Sequence, residues 1–210
     1  MFRSERYLQP WRLTGPTPPR RIETQRLVLR CWEPTDARLF EPALRVSREH
    51  IGAWIPPVWD EPSELDDIAR RLGQFRAEFH AGIGFVYAML DATETEVLGE
   101  AGLMPRIGPG ALEIGYWVHV DHVGLGLATE ATRALTLAGL ALNEVDRIEI
   151  HCDAANIPSA AVPRRLGYRL TRPPDLDRSH PDSHGPGDLL VFALEAIGDL
   201  ADGPAGEANA

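Results

Sequence analysis

The sequence predicts an α/β (mixed α+β) domain, with a mixed central sheet of about seven strands and helices on both faces. Three observations carry this. Stretches alternating apolar and polar residues with period two are interspersed with stretches of helical spacing, in the order strand–helix–helix–strand–strand–strand–helix–strand–helix–strand–strand. That order is neither a regular strand–helix alternation nor a segregation of the two types. The three middle strands are joined by Asp91-Ala92-Thr93 and Gly108-Pro109-Gly110, turn chemistry that suits an antiparallel meander. The chain has 210 residues, 44% of them apolar and 25% charged, enough for one domain with a sizeable core.

Each element follows from its residues. Residues 1–20 end in Thr14-Gly15-Pro16-Thr17-Pro18-Pro19, which resists regular structure, and are expected to form a flexible arm. Residues 22–32 read as a strand in which Leu27 and Leu29 alternate with Arg26, Val28 and Arg30. Glu33-Pro34-Thr35-Asp36 starts a helix that runs through Arg48, with Leu39, Phe40, Ala43, Leu44 and Val46 on its apolar face. A loop rich in Pro and Trp spans 50–62. Ser63 offers an N-cap to a helix ending near Ala81, whose face is Leu65, Ile68, Leu72, Phe75 and Phe79. Strands are expected at 84–91, 96–104 and 111–119, followed by a helix from about Leu125 to Asn143. Arg147–Asp153 reads as a strand, Ser159–Leu166 as a short helix closed by Gly167, and Tyr168–Thr171 and Leu189–Leu194 as the last strands. Between these two lies the Pro/Asp/His/Gly loop 173–187. The expected division is an arm over 1–20, one domain over 21–197 and a disordered tail over 198–210.

The formal net charge is −10, and the basic spots Arg20-Arg21 and Arg164-Arg165 are too small to form a nucleic-acid face. An acidic surface serves solubility and also draws cationic partners such as amines. Cys31 and Cys152 fit no metal or redox spacing and lie in expected strands, as buried thiols of a reducing compartment do. Met1-Phe2-Arg3-Ser4-Glu5 leads into no apolar run, and no stretch of membrane-spanning length occurs, so a cytoplasmic protein without membrane partners is expected.

One segment carries chemistry. The strand Glu113-Ile114-Gly115-Tyr116-Trp117-Val118 feeds a loop, and the next helix opens on the small residues Gly124, Gly126 and Ala128. A strand, a glycine turn and a helix N-terminus together make an anion site: first-turn N–H groups are free, the helix dipole is positive there, and glycine lets phosphate approach the backbone. A P-loop needs Gly-Lys-Ser/Thr, and no lysine is present. A dinucleotide fingerprint needs a third glycine where Thr129 stands, and a strand–helix–strand start rather than three antiparallel strands.

Val123-Gly124-Leu125-Gly126-Leu127-Ala128-Thr129-Glu130-Ala131 resembles motif A of the GNAT superfamily of N-acetyltransferases, Q/R-x-x-G-x-G/A, with Val123 where that pattern has Gln or Arg. Thr24-Gln25-Arg26-Leu27-Val28-Leu29-Arg30 resembles the opening strand of the RimJ/RimL-type branch, and Glu113-Ile114-Gly115-Tyr116-Trp117 its fourth strand. Asn156-Ile157-Pro158-Ser159 with Arg165-Leu166-Gly167-Tyr168 resembles that branch's second cofactor motif, so the resemblance covers about 21–195.

The resemblance implies the GNAT acyl-CoA N-acyltransferase fold and acetyl-CoA as acyl donor. The backbone of Trp117 and Val118 would pair with pantetheine, and Gly124, Leu125, Gly126, Leu127, Ala128 and Thr129 would hold the pyrophosphate through their amides. Asn156 would add a cofactor contact, and also suits a helix cap. Ser159 would protonate the departing thiolate. The attacking amine must lose a proton; Glu113 is the first candidate base and Glu100 the second, while Glu130 reads as structural. Trp54 and Trp59 are candidate walls of the acceptor pocket. His180, His184 and the aspartates of 173–187 match no defensible metal spacing, so no metal is expected. Two readings of function follow: acetyl transfer to a primary amine (a protein N-terminus or a small molecule) by direct attack, or a non-catalytic acyl-CoA-binding or regulatory module on the same fold. The acceptor, acyl length and oligomeric state (monomer or homodimer) stay open.

Overall fold

The computed structural model describes residues 11–55, 64–172 and 189–201. Eight strands form a mixed sheet, one more than expected. They are β1 (Arg21–Glu23), β2 (Val28–Cys31), β3 (Phe85–Leu90), β4 (Val97–Met104), β5 (Ala111–Val118), β6 (Arg147–Asp153), β7 (Arg169–Arg172) and β8 (Leu189–Leu194), in the order β1-β2-β3-β4-β5-β6-β8-β7. The extra strand comes from the opening segment. It is not one strand over 22–32 but a hairpin, because Thr24 N–H donates to Leu27 O at 2.9 Å while Leu27 N–H donates to Thr24 Oγ1 at 3.0 Å, closing a turn.

Four helices flank the sheet: α1 (Ala37–Gly52), α2 (Leu65–Ala81), α3 (Leu127–Leu140) and α4 (Ile157–Arg165). Leu27, Leu29, Tyr87, Met89, Leu103 and Ile114 pack one face of the sheet against Leu127, Ala131 and Leu135 of α3 and Ala160 of α4. The alternate residues, Val28, Ala88, Leu90, Val97 and Trp117, pack the other face against Phe40 and Leu44 of α1 and Ile68 and Leu72 of α2. Fully burying each Leu, Ile, Val, Met or Phe among these is worth roughly 1.5–3 kcal/mol, so this two-sided alternation holds the layers together.

Boundaries moved where local chemistry differed from the pattern. The N-cap of α2 is Glu64; Ser63 lies outside the described residues. The start of α4 is Ile157, because Asn156 rather than Ser159 caps it. Residues 11–20, expected as arm, lie against the domain over their described length. Leu13 is buried, Trp11 Nε1 donates to Ala111 O at 3.3 Å, and the N–H and hydroxyl of Thr14 both donate to the Glu144 carboxylate. An apolar Leu between prolines is enough to dock an otherwise irregular segment. Both cysteines are buried and unpaired.

β4 and β5 are antiparallel, whereas β5 and β6 are parallel, as the α3 crossover between them requires. That parallel pairing covers only Ala111↔Arg147, Leu112↔Ile148 and Glu113↔Glu149. Beyond it, β5 stays paired to β4 as far as Val118, and β6 stays paired to β8 as far as Asp153. The two strands therefore diverge in a fork, and residues 114–118 have one hydrogen-bonding edge free of any described strand.

Candidate active site

The loop from β5 to α3 is shaped by glycine. Gly124 and Gly126 both have φ of +79°, a left-handed conformation that an L side chain adopts only under strain, which delays the start of α3 from the expected Leu125 to Leu127. No side chain caps Gly126. The first intrahelical bond runs from Glu130 N–H to Gly126 O at 3.1 Å, leaving the N–H groups of Leu127, Ala128 and Thr129 as the helix's unmatched donors. A Cβ placed on Gly124 would meet nothing within 4 Å, so the backbone there is open to a ligand. These features fit a pyrophosphate, and the free β5 edge leading to the loop fits an extended, amide-bearing chain such as pantetheine. Trp117 and Val118 end β5, and residues 124–129 follow the short turn Val120–His122 to open α3. Val123 and Leu125 are exposed.

Ser159 lies on the α3/α4 side of the fork. Its N–H donates to Asn156 Oδ1 at 3.1 Å, so the Asn156 side chain serves as the cap of α4. Tyr116 of β5 donates its hydroxyl to Ser159 O at 3.0 Å and lies 3.2 Å from Ser159 Oγ. Burial pushes the Tyr116 phenol well above its ordinary value, outweighing the Ser159 hydrogen bond, so it stays protonated. Tyr116 was legible in the sequence only as part of a strand motif; the signal for its role is the alternation that sends 114, 116 and 118 to the α3 face.

The other face carries carboxylates. Glu113, at the last rung before the fork, is buried and held by both arms of Arg106, at 2.8 Å and 2.6 Å, with His151 Nδ1 at 4.0 Å. Burial opposes ionisation, but the Arg106 guanidinium and His151 outweigh it and hold the carboxyl below the usual range. His151 Nε2 also lies 2.7 Å from Glu149, and Glu149 pairs with Arg147 at 2.6 Å, so a row of polar and charged groups runs along this side of β6. His151 was not singled out from the sequence, although the exposed alternation of β6 marks 149, 151 and 153 as one polar face.

Glu100 of β4 stands directly opposite Trp117 in the sheet register, on the same face as Glu113. Burial pushes its carboxyl up to about 7, partly offset by Arg71 and by Trp32 Nε1, which donates to Oε2 at 2.9 Å. Among the described residues the neighbouring Trp117 Nε1 is buried and meets no acceptor at hydrogen-bonding geometry, although the indole also draws the Glu100 carboxyl down. Trp54 stands exposed after the end of α1, and Trp59 lies outside the described residues, so the structure does not join this pair to the fork. The histidines and aspartates of the 173–187 loop also lie outside the described residues. Among the described residues no group of three His, Cys, Asp or Glu could hold a metal ion, and no helix is long and apolar enough to cross a membrane.

Comparisons with known proteins agree with this geometry. The model of the acetyltransferase (GNAT) domain matches residues 26–169. YdaF of Bacillus subtilis (strain 168), named as a candidate ribosomal N-acetyltransferase, is 26% identical over 152 residues, which cover 69% of this chain and 78% of YdaF. The fold is similar to that of RimL, a ribosomal L7/L12 alpha-N-protein acetyltransferase solved with coenzyme A (TM-score 0.71, 18% identity, 84% of this chain and 98% of that one). It is also similar to that of MccE, a microcin C7 self-immunity acetyltransferase solved with acetyl-CoA and AMP (TM-score 0.70, 15% identity, 82% and 94%). The forked sheet, the glycine loop and the family match lead to one conclusion: this chain belongs to the GNAT acetyltransferase family, and its chemistry is acetyl transfer from acetyl-CoA to an amine.

Proposed function

We propose that the acceptor is the α-amino group of a protein N-terminus and that transfer occurs by direct attack at the β5/β6 fork. The observation that carries this reading is the fork itself. A carboxylate-lined face meets a hydroxyl-lined face where β5 loses its partner, and the glycine loop lies at the far end of the same free edge. Names among the relatives point the same way, since YdaF and RimL are both named for ribosomal acceptors.

Acetyl-CoA, when bound, supplies the reactive thioester; the chain's residues do the rest. The amides of Leu127, Ala128 and Thr129 and the open backbone at Gly124 bind the pyrophosphate. The free edge at Trp117 and Val118 orients the pantetheine. Asn156 acts at one remove, by capping α4 beneath Ser159. Glu113, kept ionised by Arg106, attracts the incoming ammonium and aims it at the fork. Glu100 takes the proton from the amine, through water, because its proton affinity sits close to neutral pH whereas that of Glu113 lies below. The structure thus favours the second-ranked carboxylate of the sequence over the first. The Tyr116 hydroxyl, with Ser159 beside it, holds the proton that a leaving thiolate takes. The described residues 11–20 are part of this catalytic domain rather than a separate arm, and the buried, unpaired thiols support a cytoplasmic setting.

The test is thiol release from acetyl-CoA with a panel of N-terminal peptides set against small amines such as polyamines and aminoglycosides. Peptide turnover that disappears when the α-amino group is blocked, with Tyr116→Phe lowering kcat by roughly 10²-fold or more, supports the reading. Turnover of small amines alone overturns the acceptor. Coenzyme binding with no turnover of any amine favours the non-catalytic module.

A further inference from the structure

The motif that resembles the family's pyrophosphate loop lacks a basic residue at Val123, yet a guanidinium reaches this loop from elsewhere. Arg26 sits in the turn between β1 and β2. Its Nη1 donates to the Leu125 carbonyl at 2.7 Å, and a Cβ built on Gly126 would stand 3.5 Å from its Nη2. Its position is held from three directions at Glu130, in the first turn of α3. Glu130 accepts from Thr24 Oγ1 at 2.6 Å, from Arg26 N–H at 2.8 Å and from Arg26 Nε at 2.7 Å.

An uncompensated carboxylate in this first turn would repel a phosphate at the same helix end. Burial disfavours the ionised Glu130, but its hydrogen bonds to Thr24 and Arg26 outweigh burial and hold it below the usual carboxylate range. The cluster therefore neutralises its own acid, ties down the Leu125 carbonyl that would otherwise be free to turn toward an anion, and leaves Nη2 beside the Gly126 backbone.

We propose that Arg26 is a pyrophosphate-binding and loop-positioning residue of the coenzyme site, delivered from the β1–β2 turn. It does from a distant turn what a basic side chain at position 123 would do within the motif. The proposal rests on residues 124–129 being the pyrophosphate site.

The test is calorimetric binding of CoA, 3′-dephospho-CoA and pantetheine to the wild-type chain, Arg26→Gln and Arg26→Lys, at low and high salt. Loss of a charge-assisted hydrogen bond predicts that Arg26→Gln weakens CoA and 3′-dephospho-CoA alike, by about tenfold, with Arg26→Lys in between. Added salt should narrow the gap between wild type and Arg26→Gln, which a folding defect would not do. Adding Val123→Arg to Arg26→Gln should recover most of the affinity. Unchanged affinity in both variants overturns the proposal, as does a loss confined to CoA, which assigns Arg26 to the 3′-phosphate instead. A wild-type chain that binds pantetheine as tightly as CoA overturns the loop assignment itself, and the role of Arg26 with it.

Discussion

Glu100→Gln should make the protein more stable at alkaline pH while disabling it. Glu100 is buried against Trp32 and Trp117, and its carboxyl is pushed up to about 7 from an ordinary 4.5. The glutamine side chain has the same shape, and its carbonyl can still accept from Trp32 Nε1. Below about pH 4.5 the carboxyl is protonated in both folded and unfolded chains, so variant and wild type should differ little. Between 4.5 and 7 the folded chain holds a proton that the unfolded chain releases, so wild-type stability falls as pH rises. Above 7 the buried carboxylate carries its full penalty. Each pH unit between the two values corresponds to about 1.4 kcal/mol, so the ceiling is about 3 kcal/mol. Urea unfolding of both proteins from pH 5 to 9 measures it, because ionisations common to both cancel in the difference. The variant should gain on the wild type across pH 5 to 7.5 and then hold a constant advantage. In the transfer assay, wild-type kcat/KM should rise through about pH 7, and the variant should lose that rise along with roughly 10²-fold or more of its rate. Stability profiles that superpose at every pH would refute the burial argument. A rate profile unaltered by the substitution would refute the role as proton acceptor.

Three further outcomes are expected. Gly99→Ala should destabilise by about 2 kcal/mol or more, because Gly99 has φ of +152° and its Cβ would stand 2.2 Å from the Trp117 carbonyl; chemical denaturation checks this, and acetyl-CoA affinity should fall too, since the clash lies on the coenzyme strand. Glu113→Gln should cost about 1–2 kcal/mol, since it takes the carboxylate from Arg106, whose side chain is 41% exposed and keeps water on its outer side; Glu113→Gln combined with Arg106→Gln should recover part of that stability in the same unfolding assay, without recovering the KM for a peptide acceptor. Ser47→Ala should cost about 1 kcal/mol by leaving Val120 N–H without the Ser47 Oγ acceptor at 3.1 Å, seen as a lower thermal midpoint.

Local patterns foretold the architecture well where they had to. The two-sided burial of β2 to β5 follows from alternation, and the loop before α3 from its glycines, although their left-handed backbone moves the helix start from Leu125 to Leu127. What stayed hidden were contacts between residues far apart in the chain. Leu27 and Leu29 alternate with Arg26, Val28 and Arg30 as in one strand over 22–32, and only the Thr24–Leu27 hydrogen bonds turn that segment into a hairpin. Leu13 looks like one apolar residue in a proline-rich stretch until the core that receives it is assembled. The proposed choice of Glu100 over Glu113 as proton acceptor rests on such contacts too. Glu113 is kept ionised by Arg106 seven residues earlier, whereas Glu100 is buried, with Trp32, just after β2, as its hydrogen-bond donor. Neither environment is a property of the local sequence. Likewise, the glycine loop was plain, but its cation came from Arg26, 99 positions before the carbonyl that it binds.

The fork also bears on how the protein behaves without its coenzyme. β5 is an interior strand over Ala111–Glu113 and an edge strand over 114–118, next to exposed Val123 and Leu125. Such a half-edge is a template for pairing with another chain. A pantetheine arm laid along it, as proposed, would close that template, so the coenzyme would serve solubility as well as the reaction. Any ligand that binds only the folded state also raises its stability in proportion to the logarithm of its concentration. Cells short of acetyl-CoA would therefore hold this enzyme in its stickiest and least durable form, which couples its lifetime to the supply of its own substrate.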